Sequence, residues 1–64
     1  MQSGMVKKWN HDSGWGFIEG ADGEDYFFNI SNVRPGQKIR VGLNVKFDSF
    51  ETQRGSEAEN VTSS

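Results

Sequence analysis

Gly14-Trp15-Gly16-Phe17-Ile18-Glu19 reads as an extended strand. Glycine alternating with aromatic and β-branched residues disfavours a helix and suits a pleated surface. Successive strand side chains point to opposite faces. Trp15, Phe17 and Glu19 therefore share one face, and Gly14, Gly16 and Ile18 the other. The charge on Glu19 assigns the first face to water, so two large aromatic rings are expected to stand in solvent. Tyr26-Phe27-Phe28-Asn29-Ile30 repeats the pattern. Phe27 and Asn29 face one way, while Tyr26, Phe28 and Ile30 form the more apolar side that the core should take. Two neighbouring strands thus present Trp15, Phe17 and Phe27 on one wet surface. The opposite faces still supply a core in Ile18, Tyr26, Phe28 and Ile30.

Working outward, turn signals recur at Asn10–Gly14, Gly20–Gly23, Pro35-Gly36, Gly42 and Arg54-Gly55. Between them, strands are expected near residues 5–10, 15–19, 26–30, 44–50 and 57–62. Ser31–Arg34 suits a single helical turn before Pro35. No stretch carries helical periodicity over a useful length, so the expected class is all-β: a five-stranded antiparallel barrel, in which closure removes exposed edges. With 64 residues the chain is read as one domain, 1–64, with a single small core. It has no cysteine and one histidine, so neither a disulfide nor a zinc site supports it. No cofactor or metal is expected, and no catalytic constellation stands out. The longest aromatic run, Tyr26-Phe27-Phe28, is far too short to span a bilayer. Without an apolar signal region in Met1–Met5, the expected setting is cytoplasmic, with no membrane partner.

A contiguous apolar surface in water marks a binding site. Rings two residues apart on a strand stand roughly 6.6–6.8 Å apart, a spacing that lets each take one base of a single strand. Gly14 and Gly16 are read as clearing space beside the rings for planar bases. The net charge of −2 first argues against a nucleic-acid partner, but its distribution is uneven. Residues 12–25 hold Asp12, Glu19, Asp22, Glu24 and Asp25 with no base among them. Residues 26–47 hold Arg34, Lys38, Arg40 and Lys46 with no acid. Stacking does not require a basic protein, so the charge weighs against duplex binders more than single-strand binders.

At these residues the chain resembles a cold-shock domain. Ser13-Gly14-Trp15-Gly16-Phe17-Ile18 resembles the family motif Lys-Gly-Phe-Gly-Phe-Ile, and Tyr26-Phe27-Phe28-Asn29-Ile30-Ser31 resembles Val-Phe-Val-His-Phe-Ser. The opening Gly4–Asn10 and the closing Arg54-Gly55 and Ala58–Thr62 extend the likeness from Gly4 to Thr62. The resemblance implies an OB-type barrel that binds single-stranded RNA or DNA across its second and third strands, as an RNA chaperone or antiterminator. A monomer is expected. The binding residues so implied are Trp15, Phe17 and Phe27 as stacking platforms, Asn29 and Asp25 as partners of base edges, and Lys7, Lys8 and Arg54 along the backbone. Trp9 belongs to this set if it faces outward. Strict alternation puts Val6 and Lys8 on one face opposite Trp9, and a β-bulge at Lys7-Lys8 would reverse that, leaving Trp9 as core or platform.

The departures from the family also carry information. Lys8 stands where the family has a tryptophan, Ser13 where it has a lysine, Asn29 for its histidine and Ile30 for its phenylalanine. The connection after Val33 is short, and no aromatic lies between Arg34 and Leu43. Fewer platforms imply weaker binding than that of typical relatives. The rival reading from another class is a protein-interaction module that docks a partner on the same aromatic surface, since OB-type barrels host many functions.

Overall fold

The alternating stretches form strands, and the glycine-marked breaks form turns. The computed structural model describes residues 1–64. Its strands are β1 (Gln2–Asn10), β2 (Trp15–Gly20), β3 (Asp25–Asn29), β4 (Asn44–Thr52) and β5 (Gly55–Ser63). They close into a barrel in the order β1-β2-β3-β5-β4, with β4 pairing back onto β1. The five-stranded OB-type architecture stands, with one correction. β3 and β5 run parallel, in register at Phe27 and Glu57, so the barrel is mixed rather than wholly antiparallel. Parallel neighbours need a long crossover between them. Here it consists of a 3₁₀ turn at Ile30–Asn32, the irregular segment that follows, and β4.

The core is Val6, Ile18, Tyr26, Phe28, Val45, Phe47, Ala58 and Val61, with Trp9, Val33, Ile39 and Leu43 packed against its edge. Ile18, Tyr26 and Phe28 lie inside as alternation predicts. Ile30 does not: it is 53% exposed. The chain leaves β3 at Asn29 and enters the 3₁₀ turn, so the two-residue period no longer applies one position later. Truncating Phe28, which is fully buried, would cost about 3–5 kcal/mol. That is comparable to the whole stability of so small a domain.

Two irregularities aim the side chains. In β1 the register passes from Val6 opposite Ile18 to Lys8 opposite Phe17, leaving Lys7 as the extra residue of a β-bulge. Lys7 and Lys8 are both exposed, while Val6 and Trp9 turn inward. In β5 the bulge falls near Asn60, which has φ 54° and whose side-chain amide donates to Asp48 Oδ2 at 3.0 Å. Asparagine tolerates this left-handed conformation better than most residues.

Candidate nucleic-acid interface

The register of β1, β2 and β3 assembles one outer face. Phe17 lies opposite Phe27 and Trp15 opposite Asn29. On the other side Lys8 lies opposite Phe17. The three rings touch one another. Trp15 stacks on Phe27 with centroids 6.1 Å apart and planes 27° apart. Phe17 meets Trp15 edge-on at 6.1 Å and Phe27 at 5.7 Å. Each ring is half-buried. Contacts of this kind contribute about 0.5–1.5 kcal/mol per pair, so the rings hold one another in place while keeping part of their surface in water.

Polar side chains border the rings. Lys8 Nζ stands 5.0 Å from the centre of the Trp15 ring, a cation–π contact. Lys7 Nζ donates to both oxygens of Asp25, at 3.0 and 3.2 Å. That hydrogen bond, with the charge of Asp25 behind it, raises the Lys7 pKa above its ordinary value. Two residues expected to act separately are therefore partners of each other. Asn29 is exposed, and its backbone N–H donates to Asn32 Oδ1 at 3.0 Å. Arg54, in the β4–β5 turn, lines a groove of 510 Å³ together with Phe17, Phe27, Asp25, Glu24 and Glu57.

One open alternative is decided and one expectation is corrected. Trp9 lies with the core rather than among the platforms. Its ring stacks on Phe28, with centroids 5.3 Å apart and planes 15° apart. The glycines are not clearings for bases. Gly16 is buried beneath β1, where a Cβ would stand 2.9 Å from Trp9 Cε3 and closer still to the Lys8 carbonyl. Gly14 has φ 70° in the β1–β2 turn, where its N–H donates to the Asn10 carbonyl at 2.8 Å. Sequence reasoning also missed Glu57. An acid between Ser56 and Ala58 carries no local sign of burial, and only the parallel approach of β3 brings it beside Phe27.

A second polar cluster ties the β2–β3 turn. The Tyr26 hydroxyl donates to Asp22 Oδ2 at 2.5 Å and accepts from Gln2 Nε2 at 3.2 Å. Asp22 Oδ1 accepts from the Glu24 N–H. The tyrosine bond, then the Glu24 N–H, holds the Asp22 carboxyl below its ordinary value, and the Asp22 acceptor raises the Tyr26 phenol above its own.

The family model described as the 'Cold-shock' DNA-binding domain matches residues 2–64. The chain belongs to the cold-shock domain family. It is 42% identical over 65 residues to the cold shock-like protein CspLB of Listeria monocytogenes, covering 97% of each chain. It is 40% identical over 63 residues to cold shock protein 1 of Lactiplantibacillus plantarum, and equally to cold shock protein CspD of Bacillus subtilis. Each of these covers 95% of this chain and 96% of the relative. This cold-shock domain is thus of a nucleic-acid-binding kind, and the rings of β2 and β3 occupy the two stretches that resemble the family's motifs. No helix in it is long and apolar enough to cross a membrane.

Proposed function

We propose that this cold-shock domain binds single-stranded RNA or DNA by stacking successive bases on Trp15, Phe17 and Phe27. It would serve as a monomeric, non-enzymatic RNA chaperone or antiterminator in the cytoplasm. The observation that carries the reading is the mutual packing of the three half-buried rings on one outer face. Base stacking on such rings contributes about 1–3 kcal/mol per base and tolerates any sequence. Asn29 meets a base edge beside Trp15. Lys8 and Arg54 meet phosphates, and the Lys7–Asp25 pair presents an ammonium and a carboxylate together at the end of the patch.

Affinity falls below that of typical relatives, because Lys8, Asn29 and Ile30 take the places of rings and Trp9 is committed to Phe28. Fluorescence titration with a ten-nucleotide single strand of mixed sequence tests the reading. Micromolar binding by the native chain, lost in the Trp15→Ala, Phe17→Ala double variant with the barrel intact, is the expected result. Nanomolar binding overturns the weak-binder reading. Undiminished binding by the double variant overturns the stacking surface, and an aromatic face that takes only a protein partner would give no oligonucleotide binding at all.

A further inference from the structure

Glu57 is the one buried acidic residue, covered on the outer face beside Phe17 and Phe27 with 9% of its surface exposed. Its Oε2 accepts from the Thr52 hydroxyl at 2.9 Å. It forms no ion pair, since the sole one between side chains joins Lys7 to Asp25, although Arg54 lines the same groove. Its second oxygen has no partner in the protein. No unpartnered side-chain oxygen is sealed from solvent, so Oε1 keeps contact with water, and Glu57 lines the groove with Phe17 and Phe27. A largely buried carboxylate outside any ion pair favours a ligand that brings N–H donors.

The walls of the groove narrow the choice of ligand. Phe17 and Phe27 offer ring surface to a planar heterocycle, and Glu24 and Asp25 add acceptors at the rim. Both Asp25 oxygens already accept from Lys7, which leaves the exposed Glu24 carboxylate at the rim and Oε1 of the buried Glu57 beside Phe27 as the unengaged acceptors. Arg54 stands at the same groove and suits the phosphate that follows a base. At 510 Å³ the groove holds one base. Guanine presents two adjacent donors, N1–H and the 2-amino group, that match the fork of a carboxylate. Thymine and uracil present one N–H between two carbonyl oxygens, which a carboxylate repels.

We propose that this groove is a guanine-reading subsite in which Glu57 selects the base. The inference rests on the single-strand-binding reading above. The test compares hexathymidine with the same strand carrying one guanine at its third position, by tryptophan fluorescence. The native chain binds the guanine strand about tenfold tighter. Inosine in place of guanine removes the 2-amino donor and surrenders most of that margin. Glu57→Gln keeps an acceptor for Thr52 but replaces one carboxylate oxygen with a donor, and the preference shifts towards thymine. Circular dichroism checks that the variant folds, and the inosine comparison needs no variant. Equal or tighter binding of hexathymidine by the native chain overturns the proposal, as does inosine matching guanine, or an unchanged ratio in a folded Glu57→Gln. In each of these cases single-strand binding itself survives. Failure of every strand to bind removes both.

Discussion

Replacing Gly16 with alanine puts a methyl group against the paired strand β1, where Gly16 lies opposite Trp9. The new Cβ lies 2.9 Å from Trp9 Cε3 and nearer still to the Lys8 carbonyl oxygen, a backbone atom that cannot swing aside. Relief requires the strands to part or the Trp9 ring to slide off Phe28, on which it stacks at 5.3 Å. Overpacking of this kind costs about 1–3 kcal/mol, and a backbone obstacle points to the upper end. The whole stability of 64 residues is on the order of 3–10 kcal/mol. At about 4–8 °C per kcal/mol for a domain of this size, thermal unfolding followed by circular dichroism should show a midpoint lower by about 10–20 °C. Gly23→Ala is the control. Its φ is 85° but nothing lies within 4 Å of the added Cβ. Only the left-handed penalty of roughly 1–2 kcal/mol remains, so the fall is smaller. If Gly16→Ala melts with the native chain and instead weakens oligonucleotide binding, the packing argument is wrong and the glycine serves the ligand.

The two tryptophans should separate stability from binding. Trp9→Ala loses the stack on Phe28 and destabilises by about 3 kcal/mol, whereas Trp15→Ala costs about 1–2 kcal/mol of stability and lowers single-strand affinity about 5- to 100-fold. The Tyr26–Asp22 bond makes stability depend on pH at both ends. Asp22, held below its ordinary 3.8, contributes above that pH and loses its contribution as pH falls through the lowered value. Tyr26, raised above its ordinary 10.0, contributes below that pH and loses its contribution as pH climbs through the raised value. Tyr26→Phe should flatten both limbs of a melting-temperature profile. In salt titrations, phosphate contacts by Lys8 and Arg54 should give a log–log slope of about −1.4 for single strands, and Asp25→Asn, which frees Lys7, should steepen it by about 0.7.

Alternation in β2 and β3 was enough to sort Ile18, Tyr26 and Phe28 from Trp15, Phe17 and Phe27, because both strands are short, regular and wet on one side. The same rule failed at Ile30, one residue past the strand end. At β1 it left Trp9 undecided, since a bulge changes the phase of a strand without changing its composition. The parallel pairing of β3 with β5 was not legible, because nothing local records which distant strand becomes a neighbour. Glu57 was hidden for the same reason. Its burial and its place beside Phe27 come from that pairing alone. The Lys7–Asp25 pair, 18 residues apart, likewise depends on the bulge that turns Lys7 outward.

The rings of β2 and β3 are the surface proposed to meet a single strand. Nuclear magnetic resonance titration of the labelled chain with a short single-stranded oligonucleotide tests this most directly. Shifts concentrated on the amides of Trp15–Glu19 and Asp25–Asn29, with the Trp15 indole moving and the Trp9 indole nearly still, are the predicted result. A spectrum unchanged at high micromolar ligand, or shifts gathered on β4 and the segment between Pro35 and Gly42, would contradict it.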